Sequence, residues 1–311
     1  MTTPPSQLLV RTGNVTSSAA GVVRKGLANS QRELVSALRE NFKAAIGEAT
    51  LSTKREVEDG NIVDPQTWTE SVDGVLTVPA KSPYSGQLKE VREGYEVTVK
   101  LFFLPGVEQS RHEQHMKQAL EQVLSELGTE YVDLLIVSFP DIHFDADDED
   151  EPVVTSEEVP AFVGTYRVAE ELQQNGSVRR LGVSEFGSSR LSSLLKHAKV
   201  KPGVDQINVR DCCVVPKPLI LFAKEKGIDL LTHDDCAEIL NEEILGGVLK
   251  EFGFEAGWRP EWVVKYTAVV RDRGVVENKG YFAFAQKGGE AAVEKNGNGN
   301  GCDGNGFVKL N

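Results

Sequence analysis

His112 and His115 stand three residues apart in RHEQHMKQ, a spacing that on a helix turns both imidazoles to one side and could seat a metal ion. The chain has only five histidines and no third ligand close in sequence, so a solvated helix surface is the expected role and no metal site is assigned. THDDC (232–236) places His233, Asp234, Asp235 and Cys236 directly after an apolar run, where the loops of a barrel carry chemistry. Aspartates there also suit the capping of a following helix, which is the expected role. Cys212 and Cys213 are adjacent and could answer to oxidation, although small buried cysteines commonly serve packing alone. Gly299, Gly301 and Gly304 match a dinucleotide fingerprint, but that motif works only between a strand and a helix, and neither is expected there.

The elements that would position these groups alternate along the chain. A strand over 97–103 (VTVKLFF) precedes a helix whose start carries the capping-box spacing of Ser110 and Glu113, with Met116, Leu120, Val123 and Leu127 on one face. A strand over 132–139 leads through an acidic run to a helix opened by Pro160 and stopped by Asn175-Gly176. Strands at 180–184, 205–209 and 228–232 alternate with helices at 188–197 and 217–226, the latter ended by Gly227. Helices near 236–251 and 260–272 and a strand at 274–277 follow. Upstream, strands at 8–11 and 74–78 flank a helix in which Ser30 and Glu33 form a second capping box and Leu34, Leu38 and Phe42 line one face. Six strands alternating with helices predict an α/β fold of parallel βαβ units, either a doubly wound sheet or a barrel. The two upstream strands are the candidates that would complete a (β/α)8 barrel.

Composition narrows the function classes. The 311 residues carry a net charge of −13, and residues 141–158 alone hold nine carboxylates and no Lys or Arg. A basic face able to neutralise several phosphates is hard to place on such a chain, which argues against nucleic-acid binding. No apolar run approaches the ~18 residues of a spanning helix, and MTTPPSQLLV has no basic region followed by an apolar core. A cytoplasmic protein is expected, and four cysteines without paired CxxC spacing fit a reducing compartment. Residues 1–286 are read as one barrel with an acidic loop at 141–158. Residues 287–311, with seven Gly and five Asn, are read as a low-complexity disordered tail.

YVDLLIVSFPD (131–141), RRLGVSEF (179–186) and QINVRDCCVVPKPLILFAKEKGIDLLTHDD (206–235) resemble successive strand-loop segments of the aldo-keto reductases. The last of these, with EWVVKYTAVVRDRGVVENKGYF (261–282) and QLLVRTGN (7–14), resembles more closely the regulatory subunits of glutamate–cysteine ligase. The resemblance implies a degenerate (β/α)8 TIM barrel that no longer catalyses redox chemistry. It would instead bind the catalytic ligase subunit as a heterodimer, improving glutamate use and relieving feedback inhibition by glutathione.

Set against the reductase chemistry, the residues agree. In that family a tyrosine protonates the carbonyl oxygen, a lysine paired to an aspartate lowers its pKa, and a histidine orients the substrate. Lys100 matches the lysine, Ser138 stands at the histidine position, and no Asp-x-x-x-x-Tyr occurs; Tyr84, the nearest tyrosine ahead of Lys100, has the wrong context. Ser184, Gln206 and Glu185 fall where the family holds the nicotinamide carboxamide, whereas Glu277-Asn278-Lys279-Gly280 replaces its phosphate-binding turn. No catalytic, cofactor-binding or metal residue is therefore assigned, and no cofactor is expected. The alternative functions are a divergent NADPH-dependent aldo-keto reductase with a relocated acid and a redox sensor built on Cys212-Cys213. Lys100, Ser138, Ser184 and Gln206 are expected near the carboxyl ends of their strands, with docking on the loops around Cys212-Cys213 and His233–Asp235.

Overall fold

A computed structural model describes residues 6–17, 30–53, 63–80, 86–144, 154–208, 215–236 and 238–288. The acidic stretch 145–153, Cys212-Cys213, Tyr84, the glycine fingerprint and the residues after 288 lie outside these segments.

The parallel heart of the fold is as the alternation predicts. Strands β4 (Tyr95–Phe103), β5 (Val132–Ser138), β6 (Val178–Ser184), β7 (Val204–Asn208) and β8 (Asp229–His233) pair in that order, every neighbour parallel. Helices α2 (His112–Leu127), α3 (Glu158–Gln174), α4 (Ser188–Leu195) and α5 (Lys217–Lys226) make the crossovers. Their ends obey local chemistry. Gly128 and Gly227 take the left-handed conformation that closes α2 and α5, and Asn175 caps α3 with Gly176 just beyond at φ 88°. Ser110 and Glu113 do not form a capping box: the hydroxyl bonds to Glu108 at 3.3 Å, and Glu113 pairs with Lys117 one turn on at 2.5 Å. Nor do Asp234 and Asp235 cap the next helix. The helix α6 (Glu242–Glu251) starts later than expected, capped by Asn241, which accepts from the Ile244 N–H at 2.9 Å.

The predicted helix over 260–272 is instead strand β9 (Trp258–Val270), and the short strand after it is the long β10 (Val275–Lys287). β9 lies antiparallel between β4 and β10, and β10 pairs in turn with β1 (Gln7–Arg11). β3 (Val75–Thr77) joins β1 in parallel and carries β2 (Glu70–Val72) on its outer side. The whole is one ten-stranded sheet in the order β2-β3-β1-β10-β9-β4-β5-β6-β7-β8. The α/β class of aldo-keto reductase type stands. Among the described residues, however, the barrel is not closed, because β2 and β8 end the sheet and no ladder joins them.

The misread helix has a physical cause. Trp262, Val264, Tyr266 and Ala268 pack into the core beneath α2 and α3, whereas Trp258 and Val263 enter a second core with α1 (Ser30–Thr53) and α6. A strand apolar on both faces loses the period-2 alternation that identifies one, and WVVKYTAVV then scans as a helix. The second core holds Leu34, Leu38 and Phe42 of α1, with Phe42 edge-on to Phe252 at 5.1 Å between centroids.

At the amino ends of the parallel strands, Asp133 gathers three partners. It accepts from Arg92 at 2.7 Å, from Arg271 at 2.8 Å and from the Val97 N–H at 2.8 Å, so β4, β5 and the β9–β10 turn are tied together.

Gly280 sits where β10 passes closest to the first loop. A Cβ there would meet the Tyr266 hydroxyl and, at 2.5 Å, the Gly13 carbonyl, which is backbone and unable to swing away. Gly280→Ala should therefore destabilise the fold by about 1–3 kcal/mol. The check is urea denaturation, with the helical Gly246→Ala, which meets nothing within 4 Å, as the uncrowded comparison.

Candidate functional site

Lys100 and Lys265 stand directly opposite each other in the antiparallel β4–β9 ladder. Two ammonium groups in that register repel, and Lys100 is only 3% exposed. The loop after β8 resolves the conflict. Asp235, 2% exposed, puts one carboxylate oxygen 3.1 Å from Lys100 Nζ and the other 2.7 Å from Lys265 Nζ. Ser30, the first residue of α1, donates its hydroxyl to Asp235 and accepts from Lys265 at 2.9 Å. Burial by itself would raise the Asp235 pKa, but Lys265 and Lys100, with the Lys265 and Ser30 hydrogen bonds, hold it well below the usual carboxylate range. Burial lowers the Lys100 pKa against the pull of Asp235 and Glu185.

A second arm continues from β8. The Asp235 N–H donates to His233 Nδ1 at 3.0 Å, which leaves the ring proton on Nε2, 2.5 Å from a Glu185 oxygen. The other Glu185 oxygen accepts from the Phe144 N–H at 3.0 Å. Glu185 itself adopts φ 66°, an uncommon conformation for a residue with a side chain, at the turn where β6 ends. Its N–H donates to the Gln206 carbonyl at 2.9 Å, and Ser184 donates to the same oxygen at 3.1 Å. Beside them burial pushes the Asp205 pKa well above its ordinary value, although the Phe186 N–H donates to its carboxyl.

Ser138 and Ser184 are the last residues of β5 and β6, Lys100 lies just past the middle of β4, and Gln206 is the central residue of β7. Other expectations need correction. His233 and Asp235 face Glu185 and the two lysines and do not offer a docking surface. Glu277 to Gly280 lie on β10, where Glu277 accepts from the Tyr95 hydroxyl and Lys279 pairs with Glu33 at 2.5 Å, so they form no phosphate turn. Cys236 is buried and disulfide-bonded, whereas four cysteines in a reducing compartment were expected. Ser30 and Lys265 escaped the sequence reading: one was taken for a helix cap, and the other sits in the stretch misread as a helix. A lone lysine inside an apolar strand was the available signal for Lys265.

Tyr281, on β10 near this cluster, donates to Glu33 at 2.6 Å. Burial and then Glu33 raise its pKa well above the ordinary value, the reverse of what an acid catalyst needs.

His112 and His115 are not solvated, being 5% and 1% exposed. His112 stacks on Phe103 with centroids 4.0 Å apart, and its Nδ1 lies 2.8 Å from Thr165 Oγ1. Because Thr165 gives its own proton to the Ala161 carbonyl at 3.1 Å, Nδ1 of His112 is the donor. Burial, and then His115, lower the His112 pKa to about 4.

Two outcomes follow from this geometry. Asp235→Asn leaves the buried Lys100 opposed to the half-buried Lys265 with no anion between them and should cost about 3–5 kcal/mol in chemical denaturation, whereas Lys265→Met leaves the Lys100–Asp235 pair intact and should cost less than about half of that. A histidine with a depressed folded pKa binds more protons when unfolded, so stability should fall as pH drops from about 6.5 towards 4, by at most about 3 kcal/mol from this group. His112→Phe keeps the Phe103 contact and leaves Thr165 bonded to Ala161. Melting temperature measured across that pH window should be visibly flatter for it than for the parent chain.

A sequence model of the aldo/keto reductase family matches residues 82–238. The chain is 30% identical over 294 residues to a Schizosaccharomyces pombe protein named as a glutamate–cysteine ligase regulatory subunit, covering 88% of this chain and 94% of that one. It is 31% identical over 201 residues to the glutamate–cysteine ligase regulatory subunit of Homo sapiens, covering 64% and 69%. Among solved structures it is similar to the aldose reductase of Giardia lamblia, with 27% identity over 43% of each chain and a TM-score of 0.31. The family model over half of the chain and the relative matched over nearly its whole length show that the chain belongs to the aldo/keto reductase family and, within it, to the glutamate–cysteine ligase regulatory subunits.

Proposed function

We propose that this protein is a non-catalytic regulatory subunit that associates with the catalytic subunit of glutamate–cysteine ligase and alters its response to glutamate and to glutathione. The observation that carries the reading is the fate of Lys100. In a working reductase the corresponding ammonium stays beside a tyrosine hydroxyl and lowers its pKa. Here it is bound to Asp235, which Lys265 and Ser30 also hold, and all of these groups except Lys265 are nearly fully buried. Ser138, also buried, replaces the imidazole that would orient a carbonyl. Tyr281, the tyrosine nearest in character to a relocated acid, has its proton committed to Glu33. The ion network commits Lys100 to a carboxylate and ties β4 and β9 to the loop after β8.

Regulation of this kind is an energetic coupling between association and substrate binding. If association raises the partner's affinity for glutamate about tenfold, saturating glutamate must tighten association by the same factor, ~1.4 kcal/mol. The test is titration of the purified chain into the catalytic subunit with and without glutamate, following complex formation and ligase rate together. Complex formation at micromolar concentration with reciprocal tightening is expected, along with no NADPH-dependent aldehyde reduction by the chain alone. A folded chain that forms no complex, or one that turns over aldehydes at ordinary enzyme rates, would overturn the assignment.

A further inference from the structure

Away from the buried ion network, a cleft of about 370 Å³ opens between the loop that follows β4 and the start of β9 paired with the end of β10. That volume is within the range of small-molecule sites. Arg111, Arg259 and Lys287 line it, with Glu108 and Glu261 as its carboxylates. The cations are not equivalent. Arg111 is paired to Glu261, whose other oxygen lies 3.2 Å from His115 Nε2. Burial opposes ionisation of Glu261, but His115 and Arg111 hold its pKa below the ordinary value, so this carboxylate is neutralised from within the fold. Lys287 meets Glu255, an 82% exposed side chain whose hold in water is weak. The Arg259 backbone pairs with Gln286 in the β9–β10 ladder, but its guanidinium has no hydrogen-bond or ion-pair partner among the described residues and faces Gly106, where an added Cβ would come within 3.9 Å of Nη1.

A positive surplus in a cleft of a chain with net charge −13 runs against the general field, and the planar fork of an unpaired arginine matches the geometry of an oxyanion. We propose that the cleft is a binding site for a small oxyanion, a carboxylate or phosphate group, held by Arg259 with Lys287 and Arg111. The site shares no residue with the Lys100–Asp235 network, and the inference stands whether or not the chain regulates a ligase.

The test is isothermal titration of the full chain at low chloride with inorganic phosphate and, separately, with glutarate. Saturable binding of at least one probe at a single site is expected, and the two arms decide which chemistry the site prefers. Arg259→Gln should weaken that binding about tenfold or more, whereas Arg180→Gln, which removes a cation outside the cleft, should leave it unchanged. Lys287→Gln should give a smaller drop, about threefold, and serves as the reading should Arg259→Gln fail to fold by circular dichroism. Absence of saturable binding by either probe would overturn the site. So would equal affinity in the folded Arg259→Gln chain, or in folded Lys287→Gln where that variant is the one read.

Discussion

The centre of this protein depends on one electrostatic constraint: two lysines placed face to face by a strand register need a shared anion. Lys100 and Lys265 are opposed by the β4–β9 pairing, and the register itself is set by long apolar strands that bury both faces. Shifting β9 by one residue would send its inward side chains to the wrong core, so the repulsion has no escape through slippage. Asp235 must therefore be charged, buried and positioned between them. The loop after β8, the amino end of α1 and, through His233, the end of β6 are all fixed in consequence.

The same constraint sits within a framework shared with the aldo/keto reductases. Parallel strands β4 to β8 still deliver polar side chains to one end of the sheet, where such folds carry out their chemistry. What arrives there is a set of groups that satisfy one another. Lys100 and Lys265 balance Asp235 and Glu185, and His233 links the Glu185 carboxylate to the backbone N–H of Asp235.

Much of this was legible in the residues. The βαβ units from β4 to β8 follow from apolar runs separated by helices with glycine or asparagine stops, and Gly128, Gly176 and Gly227 lie where positive φ is required. Lys100, Ser138, Ser184 and Gln206 are expected near strand ends from motif order; Ser138 and Ser184 end β5 and β6, whereas Lys100 and Gln206 lie nearer the middle of β4 and β7. The errors cluster where local signals have two readings. Ser30-x-x-Glu33 and Ser110-x-x-Glu113 both spell a capping box, yet Ser30 and Glu33 are drawn off by Asp235 and by Tyr281 and Lys279. The pair His112 and His115 looked solvated because the residues between them are polar, while the helix in fact turns both rings inward.

By itself, then, the sequence determined most of the periodic elements, their order, the family and the absence of any Asp-x-x-x-x-Tyr spacing. These are properties of residue type and spacing along the chain. Only the tertiary structure decided that 258–270 is a strand, that Lys265 comes to face Lys100, and that Asp235 closes on both while Ser30 arrives from the far end of the chain. Those outcomes depend on long-range pairing: a strand buried on both faces carries no local period, and an ion network of residues up to 235 positions apart exists only once the register between distant strands is set.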